Sequence, residues 1–341
     1  MAWRHTGRIL GILAACAAAL APATVAAADG TPYYKDKTVT FYIGFPPGGG
    51  YDLPMRTFVR FMSDHLPGKP LIVPRNMPGA GSRTLAGYLY NVAPRDGTAV
   101  GTIDQSVPLQ QAMGEKLQFD NAEFTWIGNI ASGINVVLVW ADSGITTIED
   151  AKRREVTIAS SGSGSSRQPK IMNNVIGTKF KIIAGYQGND INVALERGEV
   201  DGRTNSWATL KAFSAEWLRD RKVNILVQVG LEKAPDLPNT PLLMDLAAND
   251  DDRTILRLVS AQGAIGKPIL STPGLPPERV AMLRTAFDET MRDANFLSEA
   301  KKQRFELNPM SGADLERIIR NVVATPPPMA KRLAELLDEG G

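Results

Sequence analysis

The chain has 341 residues, with 38 basic side chains against 36 acidic ones, two histidines and one cysteine. Charges this evenly balanced argue against a nucleic-acid or membrane-surface binder, which needs a clear basic excess. A single cysteine excludes internal disulfides, and so few histidines and cysteines leave no usual nitrogen or sulfur set for a metal.

Residues 1–28 read as a secretory signal: Arg4 and Arg8 form the positive region, Ile9 to Leu20 is apolar, and Ala26-Ala27-Ala28 offers a cleavage site. The apolar run is shorter than the ~18 residues of a spanning helix. A mature chain from Asp29 is therefore expected to be soluble and outside the cytoplasm. It would hold 36 basic and 36 acidic residues and no cysteine. Leu13-Ala14-Ala15-Cys16 also resembles a lipoprotein box that would anchor the chain through Cys16. The apolar sequence runs on past Cys16 to the alanine site, which favours the soluble form.

A strand over 38–44 runs into the bare loop Gly48-Gly49-Gly50. Asp52 then stands where it could cap a helix over 53–65, with Pro54 in the first turn and Met55, Phe58, Val59 and Met62 at helical spacing. Unshielded loop amides next to a helix N-terminus form an anion cradle, because orphan N–H groups and the helix dipole point the same way. A strand over 71–73, the loop Asn76-Met-Pro-Gly-Ala-Gly81, a helix from Ser82 to Val92, the turn Arg95-Asp96-Gly97 and a strand over 99–103 follow. This βαβαβ unit predicts two glycine loops side by side at the carboxyl edge of a parallel sheet.

The pattern recurs. A strand over 135–140 precedes the capping box Thr147-Ile-Glu-Asp150. A strand over 156–159 opens into the serine-glycine loop Ser160–Ser166, a second cradle of hydroxyls and amides. A strand over 179–184 meets Gly185-Tyr-Gln-Gly-Asn189 and a helix ended by Gly198, and a strand over 223–229 closes the set. From Pro276 the chain is mostly helical, with a capped start at Ser311-Gly-Ala-Asp314 and a break at Pro326-Pro-Pro328. The alternation predicts an α/β protein of two lobes, each a mainly parallel sheet flanked by helices, facing each other as a clamshell. The expected division is a signal over 1–28, a first lobe over 29–133, a second over 134–253, and a return to the first lobe with C-terminal helices over 254–341.

Enzyme templates fail by absence. His65 is the only mature histidine and sits at a helix end before Pro67-Gly68, a capping or surface position. Gly-x-Ser-x-Gly does not occur, and Gly48–Gly50 belongs to neither a Walker A loop nor a dinucleotide fingerprint. Asp250-Asp251-Asp252 lacks calcium-loop spacing and reads as a solvated helix start. No catalytic residue, metal or cofactor is expected, which leaves polar recognition. Arg167 falls at a helix start, where the dipole disfavours a cation; it either faces an anionic partner or is a solvated surface arginine. Arg203 could pair with Asp201 or with a ligand. Asn189, Asn205 and Ser206 are short polar groups at predicted loop ends, suited to orienting a ligand.

Pro46-Pro-Gly-Gly-x-x-Asp52, Asn76-x-Pro-Gly-Ala-Gly81, Pro94-Arg-Asp-Gly97 and Tyr186-x-Gly188 together resemble the Bug (TctC-like) family, the extracytoplasmic receptors of tripartite tricarboxylate transporters. The resemblance spans the mature chain and implies a two-lobed periplasmic binding protein of type II-like build. It also implies a small carboxylate ligand, docking on separate membrane transporter subunits, and a monomer. The carboxylate is expected at Phe45, Pro46, Gly48, Gly49, Gly50 and Asp52, with Asn76, Gly79, Ala80 and Gly81 beside them. The second lobe would supply Ser160, Ser161, Gly164, Ser165 and Arg167, then Tyr186, Gly188, Asn189 and Asn205. Three positions depart from the family pattern: Ser82 replaces a frequent glycine, Gln187 a frequent lysine, and Gly164–Gln168 lacks a histidine often found just after it. Capture by a sensor partner of a membrane kinase, binding of an inorganic oxyanion, and secreted hydrolysis are the competing readings, the last weakened by the missing nucleophile–base pair.

Overall fold

A computed structural model describes Met1 and residues 32–160, 163–186, 190–305 and 307–338. The signal segment, Cys16 and the candidate residues Ser161, Gly188 and Asn189 lie outside the described residues.

In chain order the first elements are β1 (Thr38–Ile43), α1 (Asp52–His65), β2 (Leu71–Asn76), α2 (Arg83–Asn91), β3 (Ala99–Thr102), α3 (Val107–Ala112) and β4 (Thr125–Asn129). A second set follows: β5 (Asn135–Trp140), α4 (Ile148–Arg153), β6 (Val156–Ser160), α5 (Ser163–Ile176), β7 (Phe180–Ala184), α6 (Asp190–Glu196), β8 (Gly202–Ser206), α7 (Trp207–Phe213), α8 (Ala215–Arg219) and β9 (Val223–Val229). The chain ends with α9 (Asp250–Ile265), β10 (Pro268–Ser271), α10 (Pro277–Thr290), α11 (Ala294–Lys302), β11 (Met310–Ser311), α12 (Gly312–Val323) and α13 (Pro327–Asp338).

The strands form two sheets, ordered β11-β4-β10-β3-β1-β2 and β7-β6-β8-β5-β9. β1 pairs in parallel with β2 and with β3, as the βαβαβ reading requires. Both sheets are mixed, however. β10 is antiparallel to β3 and β4, β11 is antiparallel to β4, and β5 runs against both β8 and β9. The reversed strands arise because the chain crosses between sheets at 130–134 and returns after α9, and a strand entered from the crossover must run backwards.

Each sheet is covered by helices. In the first, Phe58 of α1 centres an aromatic cluster, its ring 6.3 Å from Phe41 on β1, 5.8 Å from Phe287 on α10 and 6.2 Å from Phe296 on α11. All four rings are buried, each worth roughly 1.5–3 kcal/mol of transfer free energy. Gly128 on β4 makes room for this layer, since a Cβ there would lie 2.4 Å from the Phe287 ring. The second sheet is buried on both faces, so β5 reads Val136-Val137-Leu138-Val139 with no polar alternation. Val137 and Val139 join the layer of α5 and α9, whereas Val136 and Leu138 join that of α6, α7 and α8.

Four strands carry no advance signal. β8 is Gly-Arg-Thr-Asn-Ser, a sequence without one large apolar side chain, and its extended form is imposed by pairing with β5 and β6. β10 and β11 are very short, and β4 is flanked by Asp120-Asn121 and Ser132-Gly133, turn signals that do not by themselves mark a strand. The tail also departs from the expected return to the first lobe. α13 packs on the second sheet's helices, with Leu333 buried beside α5 and α9 residues and Asn174 of α5 donating to the Leu336 carbonyl at 2.7 Å.

Candidate functional site

β1 through β4 run the same way, and the chain leaves β4 at its carboxyl end for the crossover 130–134. It enters β5 beside the carboxyl end of β8, where Asn135 pairs with Ser206 and the Trp207 amide donates to the Ile134 carbonyl at 2.8 Å. The loops after β1, β2 and β3 therefore face those after β6, β7 and β8. This is the edge where open α/β sheets place ligands.

On the first side the two glycine loops adjoin. The Met77 amide donates to the Ile43 carbonyl at 2.8 Å, and Ser82 Oγ donates to the Gly44 carbonyl at 3.0 Å. Backbone at 79–82 is left-handed throughout, with φ of 143° at Gly79, 45° at Ala80, 63° at Gly81 and 70° at Ser82. Two of these are not glycines, and such stored strain concentrates at ligand-binding loops. A Cβ at Gly50 or Gly81 would meet nothing within 4 Å, so open space lies in front of both loops. The amides of Gly50, Ala80 and Gly81 have no acceptor among the described residues. These are the open donors of the cradle.

Asp52 behaves differently from its expected role. It is the first residue of α1 and makes no N-cap bond; Tyr51 holds the cap position. Its buried carboxylate accepts from the Gly48 amide at 2.8 Å, from Arg56 Nε at 2.9 Å and from Asn76 Nδ2 at 2.7 Å. Asn76 also donates to the Phe45 carbonyl at 2.9 Å and accepts from Arg56 Nη2. Asp52, Asn76 and the Gly48 amide are thus turned inward, and they hold the loop's shape instead of presenting groups to a ligand. Burial pushes the Asp52 carboxyl up, but Arg56, the Gly48 amide and Asn76 outweigh it and hold it below the usual range.

Phe45 stacks on Tyr51, ring centroids 3.9 Å apart, and the Tyr51 hydroxyl donates to the Gly266 carbonyl at 2.9 Å. This ties the first loop to the return crossover. Burial, then the Asp104 carboxylate, push the Tyr51 phenol up, so it stays a neutral donor. A third loop on this edge went unnoticed in the sequence. Asp104, just beyond β3, accepts from the Ser106 amide at 2.8 Å and its hydroxyl at 2.5 Å, an Asx turn whose signature is Asp104-Gln-Ser106. Pro46 and Gly49 lie exposed on the first loop.

On the second side the expected serine-glycine loop is mostly helix, because α5 begins at Ser163 and takes in Gly164, Ser165 and Arg167. The Ser160 hydroxyl is buried and bonded to Ser165 Oγ at 2.8 Å. Arg167 is half-buried in the second turn, with no ion-pair partner among the described residues. Tyr186 packs against the α6–α8 layer. Asn205 and Ser206 belong to β8 and not to a loop. Asp201 is occupied by the Thr157 amide and hydroxyl, both at 2.7 Å, so Arg203 does not pair with it. His65 is held by Asp293 at 3.0 Å and Glu289 at 3.5 Å, a tie between α1 and the turn from α10 to α11.

A groove of about 730 Å³ lies between α9, α12 and the segment after β9, with a mixed lining that includes Ile134, Leu258, Ile318 and Val322 beside Arg257, Arg317 and Asp314. Among the described residues no cluster of histidine, cysteine or carboxylate side chains could hold a metal, and no helix is long and apolar enough to cross a membrane.

The profile of the tripartite tricarboxylate transporter family receptor, TctC, matches residues 55–334. The chain belongs to the TctC receptor family. The matched span begins just after the first glycine loop, so the geometry of that loop stands on its own. A TctC solute-binding protein from Polaromonas superposes with a TM-score of 0.69 at 19% identity, covering 89% of this chain and 99% of that one. MatC from Rhodopseudomonas palustris, solved with bound malate, gives 0.56 at 17% identity over 88% and 99%. A Cupriavidus necator protein, the UPF0065 protein in the gbd 5′ region, is 26% identical over 306 residues, 87% of each chain. This TctC receptor thus has the two-lobed periplasmic-binding-protein fold, and its family is one of solute-binding receptors.

Proposed function

We propose that this TctC receptor captures a small carboxylate between the two sheet edges and delivers it to the membrane subunits of a tripartite transporter. The observation that carries the reading is the pair of adjoining glycine loops. They leave the Gly50, Ala80 and Gly81 amides without acceptors among the described residues, with open space at Gly50 and Gly81. An anion there gains several charge-assisted hydrogen bonds at once.

In this reading a carboxylate first meets the loops at 45–50 and 79–81. Ser160, Ser161, Gly164, Ser165 and Arg167, with Tyr186, Gly188, Asn189 and Asn205, then complete the site as the lobes close. Closure is driven by the ligand's greater affinity for the closed form, and it excludes water from the new bonds. The lobes divide near 133/134, and the return, expected near 253/254, comes at the end of α9, whose Ile255, Leu256 and Val259 pack in the second lobe. The chain works as a periplasmic monomer, released by cleavage after Ala28, with no catalytic step.

The test is thermal unfolding of the chain lacking residues 1–28 against di- and tricarboxylates, acidic amino acids, aromatic acids, phosphate and sulfate, with malate among the first probes. A ligand at 100 times its Kd adds ~2.7 kcal/mol of stability, which raises the midpoint by several degrees. Gly50→Val adds a side chain only to open space, so it is expected to keep the midpoint without ligand and to abolish the shift. Stabilisation by phosphate or sulfate alone would move the protein to the oxyanion reading. An unchanged ligand shift in Gly50→Val would remove the first loop from the site.

A further inference from the structure

Arg203 leaves β8 on the face covered by α6 and α7 and enters a cavity of about 690 Å³. Its Nη1 donates to Asn192 Oδ1 at 2.7 Å, and its Nε reaches the Thr204 carbonyl at 3.4 Å. Among the described residues no carboxylate lies within ion-pair distance of it. Burial alone accounts for a pKa below the ordinary arginine value, so no nearby charge offsets the loss of hydration. Glu196 lines the same cavity, but it is exposed at the rim and accepts from the Trp217 indole at 3.1 Å. Asn205, two residues along the same strand face, points its amide into the cavity wall without a hydrogen-bond partner among the described residues.

A half-buried guanidinium without a counter-charge among the described residues is destabilising, because the desolvation cost is not offset by a partner. Nothing in the packing requires one here, since the strand is held by its backbone pairing to β5 and β6. Among the described residues no carboxylate reaches it from across the cleft either. Phe213, which lines the cavity, is approached by another cation, the Arg304 guanidinium, 5.9 Å from its ring centre. Arg304 follows α11 on the first-sheet side, so the cavity rim lies where the two halves meet.

We infer that this cavity is a second anion-binding site, in which the Arg203 fork and the Asn205 amide receive a carboxylate group. A planar guanidinium matches a carboxylate bidentately. One half-buried cation with Glu196 at the rim balances a single negative charge better than a doubly charged phosphate. The carboxylate is either the far end of a molecule held at the glycine loops or a separate small acid. Only the first source rests on the receptor reading above.

The experiment is calorimetric titration with acetate, succinate and adipate of the chain lacking residues 1–28. It is run on the parent and on Arg203→Gln, Asn205→Asp and Gly50→Val. If the group is the far end of one ligand, Arg203→Gln weakens succinate or adipate by about 30-fold or more, the lower end for truncating one member of a buried charge pair. Acetate binding and stoichiometry then stay as they were. If it is a separate acid, the parent binds two acetates and Arg203→Gln binds one. Asn205→Asp supplies an internal carboxylate to Arg203 and is expected to reproduce either loss. Both charge-altering variants are expected to keep or raise the ligand-free unfolding midpoint, because each relieves an unbalanced charge. Variants at 203 and 205 that match the parent in affinity and stoichiometry overturn the site, as does a midpoint several degrees lower in Arg203→Gln. Loss of binding in Gly50→Val with Arg203→Gln unchanged defeats this site and leaves the glycine-loop reading standing; the converse defeats the glycine loops alone. A parent that binds none of the three acids overturns both.

Discussion

At the start of α1 the Asp52 carboxylate, 1% exposed as a residue, gathers Gly48, Arg56 and Asn76 around itself. Its pKa is held below the unfolded value of ~3.9. The stabilisation is therefore full above about pH 4 and is lost as pH falls through the folded value. Asp52→Asn is expected to lower stability by about 2 kcal/mol at pH 7, the range for a hydrogen bond to a charged group, and by less at an acidic pH below the folded value. Urea unfolding at the two pH values checks this. Equal losses at both would mean that shape, not charge, holds the loop. A carboxylate at a helix start is legible from the chain, and so is its suitability for a cap. That it reaches Asn76 is a matter of how β1 and β2 lie in register, Ile43 opposite Asn76, while Arg56 is its i,i+4 neighbour on α1.

Among the elements, those with their own periodicity or punctuation were readable and those defined by their neighbours were not. α1 is announced by Met55, Phe58, Val59 and Met62, all buried as their spacing requires. α4 is announced by Thr147, whose side chain accepts from the Asp150 amide while Asp150 answers with the reciprocal bonds of a capping box. Thr147→Ala is expected to remove about 1 kcal/mol, visible as a lower urea midpoint with an unchanged slope. β8 has no such mark, and as a result Asn205 and Ser206 read as loop-end residues. α13 is legible as a helix after Pro326, but not its destination. Leu333 is fully buried against the second sheet's helices, and Arg332 pairs with Asp252 of α9. Leu333→Ala is expected to cost about 2–5 kcal/mol in global unfolding, whereas a loosely attached tail would give a loss near zero.

For the whole molecule the decisive feature is the double crossover. It brings the carboxyl edges of two sheets face to face and ties them at Tyr51 to Gly266 and at Gly133 to Gly263. Two lobes joined this way can rotate about the crossover while their cores stay intact, the usual basis of hinge closure. A carboxylate that stabilises the chain thermally is therefore expected to reduce its radius of gyration in X-ray scattering. Stabilisation with an unchanged radius would place the ligand on one lobe alone.

The amino-acid sequence by itself determined the α/β class, the adjoining glycine loops, the helix starts and the family resemblance. These are set within a few residues, by steric freedom, capping and periodicity. It also showed which chemistries lack their residues. Tertiary structure alone decided that the sheets are mixed, that Asp52 and Asn76 face inward, that Ser163 opens a helix, and that Arg203 has no counter-charge among the described residues. Most of these depend on which segments the fold brings together. Local preference leaves several partners open to a polar side chain, and only the packed fold selects one or withholds it.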